Sequence, residues 1–299
     1  MYSKNILQKI RKNGFAYLFI FPNLLLLIVF LVVPIFWIIL ISFQRGGLIG
    51  GMEFVGLRNY SGVFSDSFFV KAVLNNLKYT AIMVPVAQVL TLSVALLLNS
   101  ISQKKWVNLF RSLLYLPMLG STVGASIAAI LLIYPEIGPI WKLFDFLGIP
   151  NPKWFADPRL VLVSIGVVEF WKGNAFYIIT YYAALSNVPA ELIEAAHLDG
   201  AKYLQRLFSV ILPMIKPIIS FGVIMACIWS LQLFDSVYVL TRGGPQDASS
   251  TMVWYIYKNI FHFNRAGVGG TMVVFLLVLT GVITLLNLRI LGFGREESR

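Results

Sequence analysis

The chain has 299 residues, of which 58% are hydrophobic and only 12% charged, and its mean hydropathy is +0.80. Soluble domains contain about 45–50% apolar and about 25% charged residues, so this composition excludes an ordinary soluble protein and indicates a polytopic membrane protein. The net charge is +11. Its Lys and Arg residues are scattered at the ends of apolar runs, without a basic stripe, and this argues against nucleic-acid binding. The single Cys227 excludes an internal disulfide, and His197 and His262 lack metal-ligand spacing, so no metal site is expected.

The N-terminal flank, residues 1–15, carries Lys4, Lys9, Arg11 and Lys12 and no acid. The positive-inside rule therefore predicts a cytoplasmic N-terminus. The apolar run that follows is much longer than the core of a signal peptide, so we expect no cleavage. The flank would either form a short amphipathic helix or only fix the orientation of the first span, and the second interpretation is favoured.

Six apolar runs are long enough to cross a hydrocarbon core of about 30 Å as helices. We therefore predict an all-α membrane domain over residues 16–292, followed by a cytoplasmic tail at 293–299. Six spans place both termini on the same side. In the third run, Gly120 and Gly124 form a GxxxG pattern that predicts close helix packing. The predicted spans cover about 16–43, 73–99, 110–134, 160–184, 212–240 and 269–292.

The loop between the fourth and fifth spans, 185–211, would then face the cytoplasm. Asn187 is a suitable helix cap, Pro189 suits a first turn, and the following glutamates favour the positive helix end. Gly200 is placed to end the helix at its C′ position. We predict a helix–turn–helix below the membrane, whose second helix runs into Pro213. An interfacial loop resting on headgroups is the alternative, but its acids would be repelled by an anionic leaflet.

This loop resembles a known motif, the "EAA…G…I-L-P" loop of ABC importer permeases. The matching residues are Glu194, Ala195, Ala196, Gly200, Val210 (in place of the usual isoleucine), Leu212 and Pro213. Further stretches resemble the carbohydrate-uptake branch, and the chain is most similar to the maltose-F-like member of a permease pair. They are "FVGLRNY" (54–60), "FRSLLYLP" (110–117), "WFADP" (154–158), "FWKGNAF" (170–176) and "FDSVYVLTRGGP" (234–245).

The resemblance implies an ABC importer type I permease fold whose cytoplasmic EAA coupling helix docks on an ATPase. It implies four kinds of partner: a second, maltose-G-like permease, two ATPase subunits, an extracytoplasmic solute-binding protein and a sugar. No G-x-x-x-x-G-K-[ST] sequence is present, so ATP and Mg would be bound by the ATPase, and this chain would be no enzyme and hold no cofactor. Glu194 is our candidate for a charge-assisted contact with an ATPase cation. The coupling residues would be Glu194, Ala195, Ala196, Asp199, Gly200, Leu212 and Pro213.

Ionisable residues at membrane depth are candidate functional residues, and Glu169 and Lys172 lie one helical turn apart in the fourth span. They either neutralise each other as an intrahelical pair or line a cavity that binds sugar hydroxyls. A charged pair departs from the pattern of a neutral sugar site. Asp235 is either a helix-end or a gating residue. The resemblance places the substrate pathway at Met118, Thr122, Glu169, Lys172, Gly173, Phe176, Ser230, Gln232 and Leu233.

These observations predict a permease of the plasma membrane that forms half of a sugar or oligosaccharide pathway by alternating access. The segment "TRGGPQDASS" (241–250) is expected to be a flexible outer turn bordering the binding protein. An autonomous secondary transporter or channel would need inverted repeats, which are not evident. An intramembrane enzyme would need a nucleophile–base or metal constellation, and none is visible.

Overall fold

The computed structural model describes residues 14–291, so most of the predicted basic N-terminus and the tail at 293–299 lie outside the described residues. The described chain is mostly helical, as predicted. Its helices are α1 (Gly14–Leu27), α2 (Val33–Ser42), α3 (Arg58–Ser65), α4 (Ser67–Ser100), α5 (Lys104–Leu119), α6 (Thr122–Ile133), α7 (Pro139–Phe146), α8 (Val161–Ser186), α9 (Ala190–Leu198), α10 (Tyr203–Arg206), α11 (Leu212–Leu231), α12 (Asp235–Leu240), α13 (Met252–Tyr257) and α14 (Ala266–Leu291).

Five of these helical stretches are long and apolar enough to cross a membrane, and a sixth crossing arises if a bent pair counts as one span. The five stretches are Leu18–Ser42, Ser67–Ser100, Val161–Ser186, Tyr203–Leu240 and Ala266–Ile290. The bent pair consists of α5 and α6. An all-α membrane fold follows, because helices satisfy their backbone groups within the segment.

The predicted third span, 110–134, is not a single straight helix. Its two halves, α5 and α6, meet at an angle of 100°. Gly120 has an extended backbone at this point, and the side chain of Ser121 caps the new helix by accepting a 3.0 Å hydrogen bond from the Gly124 amide. The GxxxG prediction was therefore wrong, since Gly120 and Gly124 do not share one helical face.

The predicted fifth span, 212–240, also differs from the structure. Its helix begins at Tyr203, nine residues before Leu212, because a π-helical turn at Leu207–Ile211 joins α10 to α11. Helical structure is then interrupted at residues 232–234 before α12 begins. The third and fifth of the six predicted spans thus each contain a stretch of irregular backbone. Such backbone is tolerated at membrane depth only where it is enclosed by protein or lines a cavity.

Among the described residues, 14–63 and 258–275 form one compact unit. Within it, α1 continues through a π-helical turn into α2, and a short antiparallel hairpin follows, in which Gln44–Gly46 pairs with Met52–Phe54. The hairpin was not predicted. The amide of Asn59 donates to the carbonyls of Ser42 and Gln44, at 2.9 and 2.7 Å, and so fixes the chain where α2 ends.

The described residues 64–257 and 276–291 form the second unit, whose core is the packing of α4, α8 and α11. Tyr181 of α8 is fully buried among these helices. At the start of α4, the carboxylate of Asp66 accepts hydrogen bonds from the amides of Phe68 and Phe69, so the helix is capped. The second unit contains both interrupted segments and the loop between the fourth and fifth spans.

Candidate functional site

The two interruptions come together beside the fourth span. Thr122 is the first residue of α6, Asp235 is the first residue of α12, and these two helices pack against each other. A cavity of about 320 Å³ opens between them. Its lining combines two carboxylates, an amide, a hydroxyl and an indole ring with apolar side chains: Thr122, Glu169, Trp229, Gln232, Leu233, Phe234 and Asp235.

Glu169 connects the fourth span to both interrupted segments. Ser236, in the first turn of α12, donates a hydrogen bond to its carboxylate. Ser126 of α6 donates to the Ser236 hydroxyl at 3.4 Å, and both serines are fully buried. The carboxylate of Glu169 is therefore held by a different helix. An intrahelical pair with Lys172 is not needed to explain its position.

A second cavity, of about 110 Å³, lies between α4, α8 and α11. It shares Glu169, Trp229 and Leu233 with the first cavity, so the two are adjacent. Predicted pathway residues Gly173 and Ser230 are part of its lining. The two cavities together bring six of the nine predicted residues into one region: Thr122, Glu169, Gly173, Ser230, Gln232 and Leu233.

The other three predicted pathway residues behave differently. Among the residues that the structure describes, Met118, Lys172 and Phe176 are outside the lining of both cavities. The Phe176 ring packs against Trp229, with ring centroids 5.5 Å apart. Phe176 therefore packs beside the indole of a lining residue, whereas Met118 and Lys172 are half-buried.

Trp229 is the main lining residue that the sequence did not single out. It is 43% exposed although it lies in the last turn of the apolar helix α11. A signal was present, because Trp229 is the first residue of "WSLQLFD", where polar residues enter an otherwise apolar run. Aromatic rings with a few placed polar groups are typical of small-molecule sites.

The backbone of the segment 241–250 is bound by side chains of α4, contacts that the prediction of a flexible turn did not include. The amide of Asn75 donates to the carbonyls of Asp247 and Ser250, at 2.9 and 3.0 Å. The Lys71 ammonium donates to the Gln246 carbonyl at 2.5 Å. Side chains at the start of α4 thus hold the backbone of this segment, a role that its Gly-rich sequence does not reveal.

The loop between the fourth and fifth spans forms the predicted helix–turn–helix. Gly200 has φ +78°, and its amide donates to the His197 carbonyl, while the Ala201 amide reaches back to Ala196. These two bonds form a Schellman motif, and the prediction that Gly200 occupies C′ is confirmed. The predicted Asn187 cap was wrong: Asn187 ends α8, and its side chain donates to Ala183.

The angle between α9 and α10 is fixed by side chains. The guanidinium of Arg206 contacts Nδ1 of His197 at 2.8 Å and donates to the Ala201 carbonyl at 3.0 Å. The surface of α9 is open, since Glu194, Ala195 and Asp199 are exposed and Leu198 is 87% exposed. A rigid helix with an uncovered leucine and acidic side chains is a suitable docking element for another protein.

The comparisons with known proteins agree with this geometry. Residues 54–293 match the model of a family described as binding-protein-dependent transport system inner membrane component. The chain is 31% identical to the sulfoquinovosyl glycerol transport system permease protein SmoG of Agrobacterium fabrum, over 92% of this chain and 90% of that protein. It is also 31% identical to the arabinooligosaccharides transport system permease protein AraP of Bacillus subtilis, over 96% and 91%.

The fold is similar to a chain of a solved bacterial alginate ABC transporter, crystallised in complex with an alginate pentasaccharide-bound periplasmic protein. The TM-score is 0.85 at 20% sequence identity, with 96% of this chain and 98% of that chain covered. This likeness confirms the predicted permease fold. With the family match across most of its length, the chain belongs to the binding-protein-dependent transport system inner membrane components.

Proposed function

We propose that this chain is one permease subunit of an ATP-driven importer for a sugar or oligosaccharide. The observation that carries the proposal is the cavity where the two interrupted segments meet Glu169. Transporter sites commonly lie at discontinuous helices near the middle of the membrane. Two of the relatives described above are named for transport of carbohydrates.

The side chains of the cavity suit a polyhydroxylated ligand. The carboxylates of Glu169 and Asp235 accept hydrogen bonds from hydroxyl groups, whereas the Gln232 amide both donates and accepts. The Trp229 ring offers an apolar surface against which the C–H face of a sugar ring would pack. Hydrogen bonds to a charged group contribute about 1.5–3 kcal/mol each, enough for weak and reversible binding on a transport path.

Energy would come from a separate ATPase through the exposed helix α9. Glu194 would contact an ATPase cation, and the Schellman turn at Gly200 would keep α9 rigid enough to transmit force. A second permease would supply the other half of the pathway. A solute-binding protein would deliver the sugar from the outside, with both termini of this chain in the cytoplasm.

The test is reconstitution of the chain with its second permease, ATPase and binding protein in proteoliposomes. We expect sugar uptake that requires ATP, and we expect Trp229→Ala to reduce uptake per assembled complex. Trp171→Ala is the matched control, because Trp171 is similarly exposed (47%) and lines neither of the two cavities. Uptake by the purified chain alone would instead favour an autonomous carrier. Equal loss in both variants would remove Trp229 from the pathway.

A further inference from the structure

Asn76 of α4 contacts two segments that are far apart in sequence. It is fully buried, with 0% of its surface exposed. Its Nδ2 donates to the carbonyl of Ser230 at 2.9 Å and, more weakly, to that of Leu231 at 3.5 Å. Its Oδ1 accepts from the Met252 amide at 2.7 Å. One side chain therefore joins the last turn of α11 to the first residue of α13.

The groups that Asn76 binds have no regular helical partner. Helical structure is interrupted after Leu231, so the carbonyls of Ser230 and Leu231 lie in a last turn where helices leave acceptors free. The Met252 amide belongs to a first turn, where donors are free for the same reason. In lipid such groups are costly unless protein satisfies them. Asn76 satisfies both kinds at once.

Neighbouring side chains of α4 contact only one of the two segments. Lys71 and Asn75 bind the backbone of residues 246–250. The Thr80 hydroxyl lies 2.7 Å from that of Ser230, on the α11 side. Of these four α4 side chains, only Asn76 contacts both segments. Thr251 makes a second connection between the two segments, because its hydroxyl donates to the Leu233 carbonyl at 2.8 Å.

The α11 segment bound by Asn76 leads directly into the candidate site. Ser230 lines the smaller cavity. Gln232 and Leu233, the two residues after Leu231, line the larger one. The 241–252 segment, at the other end of this connection, ends at the first residue of α13 and would face the outside in the orientation proposed above. A displacement of that segment would therefore act on the backbone that positions the cavity lining.

We infer that Asn76 is a positioning residue that couples the 241–252 segment to the substrate cavity. The inference rests on the proposed function, since the event that displaces the segment is the docking of the substrate-loaded binding protein. Docking shifts the segment, Asn76 transmits the shift to residues 230–233, and the cavity changes shape in step with the outer surface. The role requires no contact between Asn76 and the sugar.

The experiment compares Asn76→Leu with Asn75→Leu in the full reconstituted complex. Both substitutions replace an amide with an apolar side chain of similar shape at adjacent positions. We expect Asn76→Leu to keep basal ATP hydrolysis but to lose about fivefold or more of the stimulation by substrate-loaded binding protein, a typical size for coupling between sites. Asn75→Leu and Thr80→Val, which each remove a contact to one segment only, should retain most of the stimulation.

Wild-type stimulation in Asn76→Leu, or an equal loss in Asn75→Leu, would overturn the inference. Should Asn76→Leu fail to assemble, hydrogen exchange on the wild-type complex decides. Addition of the loaded binding protein should then change amide exchange in residues 241–252 and in 230–234 together, and a change confined to 241–252 would overturn it. A wild-type complex that assembles but is not stimulated at all would refute the proposed function itself.

Discussion

The hydroxyl of Tyr181 donates a hydrogen bond to the side-chain oxygen of Gln88, joining the fourth span to the second. The Gln88 amide in turn donates to the Gly222 carbonyl of the fifth span, at 3.4 Å. A side chain at Gly222 would collide with the Tyr181 hydroxyl. The three helices therefore meet at a point where a glycine is required for close approach rather than for backbone freedom.

Gly222→Ala should accordingly destabilise the protein. An added methyl group in a packed core costs about 1–3 kcal/mol. The matched control is Gly281→Ala in α14, where a Cβ meets nothing within 4 Å, so this variant should be neutral or slightly stabilised. The measurement is the thermal unfolding midpoint in detergent, and a Gly222→Ala midpoint equal to that of Gly281→Ala would contradict the packing described.

Gly200→Val tests the turn after α9. Valine in the left-handed region costs of order 1–2 kcal/mol, so the Schellman turn should open and uptake should fall although the chain still inserts into the membrane. Gly200→Asn should retain more activity, because asparagine tolerates this conformation. Uptake and membrane abundance are measured together. Normal uptake by Gly200→Val would refute the coupling role of this turn.

Glu194→Lys tests the contact proposed for α9. A like-charge pair would replace an attractive one, so we expect weaker co-purification of the ATPase or hydrolysis that no longer responds to substrate. Glu191→Lys makes the same charge change one turn earlier, at a position that is also exposed, and serves as the control. Wild-type co-purification and stimulation in Glu194→Lys would show that the contact lies elsewhere.

Replacing Glu169 with Gln and Lys172 with Met together tests whether the two side chains line the substrate pathway or only neutralise each other. If the pair only neutralises itself, the double variant should transport normally. If Glu169 lines the path, the complex should assemble and keep basal ATP hydrolysis yet transport poorly. Either single substitution changes the local charge at membrane depth and should lower expression. The readout is uptake per assembled complex beside basal ATPase activity.

The proposed orientation is tested by cysteine labelling. Cys227 is buried, so the native thiol should react little. A membrane-impermeant maleimide added to intact cells should label Gln246→Cys but not Glu194→Cys, and opened cells should label both, because both positions are exposed. Labelling of Glu194→Cys from outside would reverse the topology. It would also reassign α9 to the outer surface.

The sequence predicted the elements whose signals are local. Length and hydropathy located the membrane helices, and a glycine nine residues after Glu191 located the end of α9. The interruptions at 120–121 and 232–234 were missed, because both lie inside apolar runs that read as continuous spans. The interruption at 232–234 is held by distant side chains such as Asn76 and Thr251, and a single sequence does not show which helices these side chains meet.

The same reason explains what was missed in the site. Glu169 was identified because an ionisable residue at membrane depth is informative by itself. Thr122 and Gln232 were identified only through the resemblance to known permeases. Trp229 is apolar and merges with its surroundings in sequence. Trp229 becomes a candidate functional residue only because it lines the cavity beside the interruptions. The spacing of apolar residues in α11 does not predict that cavity.

The first membrane helix bears on how the protein is made. All of residues 18–31 are exposed or only partly covered by the rest of the chain, and this part of the helix is apolar enough to partition into lipid as it leaves the ribosome. The second, fourth and fifth spans, by contrast, satisfy one another through groups such as Asn76, Gln88 and Tyr181. Those spans would complete their mutual hydrogen bonds only after all of them have been inserted. A chain whose synthesis stalled before Met252 would lack the backbone amide that donates to the Asn76 side chain.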